Sequence, residues 1–413
     1  MKKILVLGAG AQGGPCASIL ARDKDVSAIV LADINIDLAN KAKDKIKSDK
    51  ITTMKVDAGK IEDIERAASG ADAIINLALP RFNPNVLKAA LRSGAHYVDA
   101  ALSMFGPTWN QLIKNKPLEF DNEFKEAGLT AVFACGGTPG VTNVLARRVC
   151  DKLDRVDEIH VKAGGRALEE PKELVTEWST GWCPDEALEN YEDEVDVFED
   201  GEYKRYPPFS APEKYDFPEP VGPVLITRHT HEEGVTPPRF IGKGLKHCDF
   251  KYPFDPIAGA LVKLKLTSKE LVDVNGVKVA PKNLLMKLMK APVNQFLLES
   301  EATAKLPPNS VSFVLMDIKG AKSGEDITYK LYWPYHLFTN MKEKLEFYRR
   351  FGTTEVAVAM PAIVAVKMSM RGDAPRGLIA PECLDPIRFL KMMAAMGAPV
   401  KFHEVCSKEI SVS

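Results

Sequence analysis

No apolar run in this sequence reaches the roughly 20 residues that a bilayer requires. The most apolar helical stretch, "VAVAMPAIVAVKM", is interrupted by Pro361 and Lys367 and reads as a buried helix. Lys2 and Lys3 precede an apolar run, but it meets Gly8 after four residues, so no secretory leader is expected. Charge of one sign is equally scarce: 55 Lys and Arg face 56 Asp and Glu, for a formal net charge of −1, with no long basic or acidic block. That balance argues against a nucleic-acid-binding tail or a polybasic membrane anchor and leaves a small molecule as the expected partner. The seven cysteines are scattered, with no C-x-x-C pair and no metal-ligand spacing to histidine. They read as reduced thiols of a cytoplasmic protein. Internal repeats and low-complexity linkers are also missing. At 413 residues the chain is long enough for two domains, each with its own core.

What is present begins at once. "KKILVLGAGAQG" places a continuous apolar run, Ile4 to Leu7, before Gly8, Gly10 and Gly13 in G-x-G-x-x-G spacing. A run of that kind fits a parallel strand buried on both faces. Gly8 permits the tight turn, Gly10 lets the backbone approach a pyrophosphate, and Gly13 allows the helix to pack close to the strand. Ala11 and Gln12 complete the loop, whose free N–H groups and helix dipole favour an anion. "VSAIVLAD" then ends at Asp33, twenty residues after Gly13, where a carboxylate can accept from the ribose hydroxyls of the adenosine. A carboxylate there repels a 2′-phosphate and no Arg follows, so NAD is expected rather than NADP.

Further strands follow in "ITTMKVDAGK", "ADAIINLALP", "GAHYVDAA" and "LTAVFACGGTPG", alternating with helical segments. The alternation predicts an α/β fold, a Rossmann doubly wound parallel sheet with its ligand at the carboxyl ends of the strands. Asp57 is expected beside the adenine, Ala78, Leu79 and Pro80 beside the nicotinamide, and Gly136, Gly137 and Thr138 in a loop that approaches the cofactor. After about residue 150 the βαβ rhythm stops. "VDVNGVKV", "SVSFVLMDIKG" and "DITYKLYWPY" suggest an α+β domain with an open sheet. The expected organisation is a cofactor domain of residues 1–135 plus about 352–413, with an α+β substrate and dimerisation domain over about 136–351 and a C-terminal helical return. An open sheet pairing across a two-fold axis gives a homodimer as the expected assembly.

The stretches "VLGAGAQG", "INLALP", "HYVDAA", "CGGTPGVTNVLA", "EWSTGW" and "GDAPRGLIAPECLDPIRFL" together resemble the saccharopine dehydrogenase-like oxidoreductases. These include saccharopine reductases, lysine 6-dehydrogenases and carboxynorspermidine dehydrogenases. The resemblance implies an NAD(P)-dependent enzyme that interconverts an amine and an imine or carbonyl, of saccharopine or lysine dehydrogenase type. A reductase joining an aldehyde to a diamine is the alternative within that class, and a non-catalytic NAD-binding sensor the alternative outside it. It also places Glu177 and Trp178 near nicotinamide and substrate.

Oxidation of a C–N bond needs a neutral amine and therefore a general base, which becomes the acid in reverse. Asp99, at the end of the fifth strand, and His229 and His231 in "RHTHEEG" are the candidates. Tyr97, Glu233, Arg239, Lys251 and Tyr252 are candidates to hold the substrate. The pair His229 and His231 lacks an evident third ligand, so no metal is expected. His160, His247, His336 and His403 have no evident partner in the sequence.

Overall fold

The computed structural model describes residues 1–168, 178, 180, 183–289, 294–298, 310–338, 340–354, 356–398 and 400–408. Two sheets organise it. The first is seven-stranded and parallel: β1 (Lys2–Leu7), β2 (Val26–Asp33), β3 (Ile51–Lys55), β4 (Ala73–Asn76), β5 (His96–Asp99), β6 (Thr130–Val132) and, from far downstream, Gly377–Ile379. Across the sheet the order is Gly377–Ile379, β6, β5, β4, β1, β2, β3. Strand β1 shows why its apolar run is continuous: Ile4 and Val6 belong to one hydrophobic cluster and Leu5 and Leu7 to another, on the two faces of the sheet.

The second sheet is mixed and holds β7 (Arg155–Ala167), β8 (Val195–Glu199), β9 (Glu202–Tyr206), β10 (Glu213–Phe217), β11 (Gly222–Arg228) and β12 (His247–Pro253). It continues through β13 (Ser310–Lys322) and β14 (Glu325–Leu337) to β15 (His403–Lys408). Strands β12 and β7 run parallel, whereas β7, β13, β14 and β15 pair antiparallel in turn. The hairpin "VDVNGVKV" forms a separate two-stranded ribbon.

The C-terminal segment divides its loyalty. Helix Ala359–Arg371 packs on β5, β4 and β6, and Gly377–Ile379 joins the first sheet. The last strand, β15, instead pairs with β14 of the second sheet, so the tail past residue 400 does not return to the cofactor domain. One core binds both sheets: Ile75 and Val98 from the first, Val161, Met316 and Leu331 from the second, and Val144 and Val364 from helices between them belong to a single cluster. Among the described residues no helix is long and apolar enough to cross a membrane.

Candidate functional site

The carboxyl ends of β1, β4, β5 and β6 open on one side of the first sheet, and the glycine loop lies there. Gly8 has φ +101°, and a Cβ on it would stand 2.7 Å from the backbone of Leu77, so the loops after β1 and β4 touch only because it is glycine. A Cβ on Gly13 would lie 1.8 Å from the Gly8 carbonyl oxygen. Above Gly10, by contrast, nothing among the described residues lies within 4 Å of that position. Among the described residues the helix Gly13–Ala21 starts at Gln12 with no side-chain cap, and the buried Gln12 Oε1 has no partner. Open space over Gly10 and an uncapped helix start fit a dinucleotide pyrophosphate.

Asp33 closes this loop. One carboxylate oxygen accepts from the Ala9 N–H at 2.7 Å and the other from the Asn35 N–H at 2.8 Å, each retaining a lone pair for a ribose hydroxyl. Asp57 accepts from the Gly59 N–H at 2.9 Å in the turn after β3. The N–H of Ala78 donates to Asn76 at 3.1 Å, and Leu79 and Pro80 lead into Arg81, which pairs with Asp185 at 3.0 Å.

Asp99 lies deeper than its position in the sequence suggests. It is 1% exposed, and burial pushes its carboxyl up to about 7 against the lowering effect of its donors. Those donors are the Ala134 N–H at 2.7 Å, the Tyr97 hydroxyl at 2.8 Å and Asn83 Nδ2 at 3.1 Å. Both oxygens are engaged by protein, and the carboxylate anchors the chain as it leaves β6. Tyr97, expected to touch substrate, is fully buried, with its hydroxyl committed to Asp99.

The stretch 229–236 carries the second half of the site. Nδ1 of His231 is hydrogen-bonded to Glu233, whose other oxygen accepts from Thr138 and Thr142 hydroxyls, both at 2.5 Å. Glu232 accepts from the Leu102 N–H at 2.7 Å. The loops after β5 and β6 are thus drawn onto His231. Burial alone would lower the His231 imidazole, but the Glu233 carboxylate outweighs it and raises the group to about 8. Burial would likewise raise Glu233, and His231 beside it brings it below its usual range. His229 is different: burial pushes it down to about 3, so it is neutral, packed against Tyr191 and Tyr252 with ring centroids 4.7 and 5.0 Å away.

Other expected contacts fall elsewhere. Glu233 is 1% exposed and orients His231 rather than facing a ligand. Lys251 pairs with Glu213 at 2.6 Å on the opposite face of β12 from Phe250, and Arg239 donates to the Lys116 carbonyl at 2.6 Å. Neither converges on His231. Tyr252 remains beside His229. Trp178 is half-buried, and Glu177 lies outside the described residues. In the loop after β6, the Gly136 N–H donates to the Pro139 carbonyl at 2.8 Å and the Gly137 carbonyl accepts from the Thr142 N–H at 3.3 Å. Thr138 turns its hydroxyl to Glu233. Thr142, Asn143, Thr236 and Glu382 are not singled out by the sequence: Glu382 is fully buried and accepts from Asn143 at 2.9 Å and Thr236 at 2.5 Å, tying the last segment to this network. Its only sequence signal was its place inside "IAPECLDP".

Known proteins share this sequence pattern and fold. Residues 4–132 match the saccharopine dehydrogenase NADP binding domain and residues 136–398 the saccharopine dehydrogenase C-terminal domain. Carboxyaminopropylagmatine dehydrogenase of Synechocystis sp. is 25% identical over 98% of both chains. Carboxynorspermidine synthase of Vibrio cholerae is 24% identical over 95% of both. In fold, the chain is similar to the saccharopine dehydrogenase (L-Glu forming) of Saccharomyces cerevisiae, with a TM-score of 0.69 at 14% identity, covering 98% of this chain and 100% of that one. The chain belongs to the saccharopine dehydrogenase family and is an NAD(P)-binding oxidoreductase acting on the C–N bond of amine-type substrates.

Proposed function

We propose that the protein forms a secondary amine from an aldehyde and a polyamine-type amine, one arm of the product carrying a carboxylate, and that His231 is its acid–base group. The observation that carries this reading is the His231–Glu233 pair, a histidine held cationic at neutral pH and stacked on Phe250, with the neutral His229, itself packed on Tyr191 and Tyr252, two residues away on the same segment. Relatives named for carboxyaminopropylagmatine and carboxynorspermidine, matched along nearly their whole length, favour this substrate class over saccharopine.

Held at the Gly8–Gly13 loop and Asp33, a nicotinamide dinucleotide would supply or accept the hydride at the carbon of the C–N bond. The chain manages the proton. With Nδ1 directed at Glu233, His231 presents Nε2 to the substrate. As an imidazolium it protonates the departing hydroxyl of the carbinolamine, which leaves as water and yields the iminium. In the opposite direction the neutral imidazole takes a proton from the ammonium or from attacking water. Asp99 acts as a positioning group for the loop after β6. Aromatic rings around His229 give a cationic amine a surface it can occupy at small desolvation cost.

The test follows absorbance of the reduced nicotinamide with carboxynorspermidine, carboxyaminopropylagmatine and saccharopine. One of the first two should turn over with kcat/KM at least about 100-fold above saccharopine. Turnover of saccharopine alone would overturn the substrate class.

For the cofactor, Asp33 supports NAD over NADP. Removing its charge in Asp33→Ser should raise the NADP-to-NAD ratio of kcat/KM on the order of 10- to 100-fold, since a carboxylate beside a phosphate costs a few kcal/mol at intermediate dielectric. The variant also frees the Ala9 N–H, which weakens both cofactors alike, so the ratio isolates the charge. An unchanged ratio would remove Asp33 from the ribose.

A further inference from the structure

Behind the catalytic face, the second sheet carries a histidine cluster that the reaction does not use. We propose that His160, His247 and Asp249 form a binding site for a divalent transition-metal cation of the zinc class. Strand alternation sets them together: β12 runs parallel to β7 with His247 opposite Glu158 and Asp249 opposite His160, and β8 places Glu199 opposite His247. All of these side chains therefore stand on one face, away from Cys248 and Phe250. His160 and His247 line a surface hollow of about 940 Å³, so a hydrated ion can reach them.

The donor set suits such an ion. Two imidazole nitrogens and a carboxylate are borderline ligands that favour zinc, cobalt or nickel over calcium or magnesium. One donor atom from each residue lies within 4.8 Å of the others. His160 Nδ1 is 2.6 Å and His247 Nε2 3.8 Å from the two oxygens of Asp249. Tetrahedral metal ligands stand about 3.3 Å apart, so the first distance opens by about 0.7 Å and the second closes by about 0.5 Å as the Asp249 carboxylate turns between the two imidazoles. Outer carboxylates are in place too. His160 Nε2 is 3.1 Å from Glu158, which Lys319 also holds at 2.6 Å, and His247 Nδ1 faces Glu199 at 3.9 Å. Each imidazole thus has one nitrogen toward the common centre and the other toward a carboxylate, the arrangement that orients metal-binding histidines.

Asp249 supplies a second reason. It is 4% exposed, and among the described residues its charge partners within 4.0 Å are these two histidines, with no lysine or arginine. A buried carboxylate served only by imidazoles gains more from a dication. The site also lies one residue from Phe250, whose ring stacks on His231 from the other side of β12 at a centroid distance of 4.2 Å. A cation here would fasten β12 to β7 directly behind the proposed acid–base group.

The experiment titrates the chelator-treated full chain with Zn²⁺ by calorimetry and with Co²⁺ by absorption. One equivalent should bind with a dissociation constant on the order of micromolar or tighter, and Co²⁺ should show a d–d spectrum of nitrogen and oxygen ligation. Binding should weaken by about 10-fold or more in each of His247→Ala, His160→Gln and Asp249→Asn, whose folding circular dichroism checks. It should persist in His231→Gln, because His231, Glu232 and Glu233 form the other cluster with metal-like donors. Wild-type binding weaker than 100 micromolar, as an order-of-magnitude threshold, overturns the proposal. So does binding that survives the His247 and His160 changes, or that is lost with His231.

Discussion

His231→Gln is expected to lower kcat in the amine-forming direction by about two to four orders of magnitude, the usual worth of a positioned acid–base group. The pH profile carries the sharper signature. His231 titrates near 8 because Glu233 outweighs the effect of burial, so the acid form prevails below that pH. Amine formation needs this acid, so kcat/KM should be flat below about 8 and fall above it; amine oxidation, which uses the neutral imidazole, should rise through the same pH. In His231→Gln both limbs should vanish. Glu233→Gln keeps an acceptor for Thr138 and Thr142 while removing the charge that holds the imidazole up. Burial then dominates, and the limb should move below the ordinary imidazole value of 6.5. A His231→Gln enzyme within fivefold of wild type, as an order-of-magnitude margin, or a Glu233→Gln limb that stays near 8, would require another acid.

The parts of this site that could be read in the sequence are those whose reason is local. The glycine spacing, the apolar run of β1 and the acid at the end of β2 follow from strand, turn and helix geometry within some thirty residues, and the fold bears out a parallel sheet built on them. Asp99 was visible as a strand-end carboxylate, but its burial depends on Ala134 and Asn83, which the sequence does not place. Lys251 and Tyr252 show another limit. They are adjacent in a strand, so their side chains must point to opposite faces, and both cannot line one site. The Glu233, Thr138 and Glu382 network joins segments separated by 91 to 239 positions, and only the packing of helix Val141–Cys150 between the sheets brings them together. The partners of His160 were hidden for the same reason: its register with Asp249 arises from a parallel pairing across 89 residues.

Two neighbouring glycines should fail in opposite ways. Gly13→Ala puts a methyl 1.8 Å from the Gly8 carbonyl oxygen, a backbone atom pinned by the Gly8 N–H bond to Ala32 at 2.7 Å and by the close approach of Leu77. No rotamer relieves that contact, so the first helix must move off β1. A loss on the order of 3–5 kcal/mol in denaturant unfolding is expected, whether or not cofactor is present. Gly10→Ala meets nothing within 4 Å among the described residues, and without cofactor it should unfold within about 0.5 kcal/mol of wild type. Its methyl instead enters the space assigned to the pyrophosphate, so NAD affinity should fall by about 10-fold or more in a fluorescence titration. Wild-type affinity in Gly10→Ala would move the dinucleotide off this loop. An unperturbed unfolding curve in Gly13→Ala would mean that helix and strand are not in the contact that makes the third glycine obligatory. The pair therefore separates the two demands that the fingerprint combines, close packing at one glycine and room for a ligand at the other.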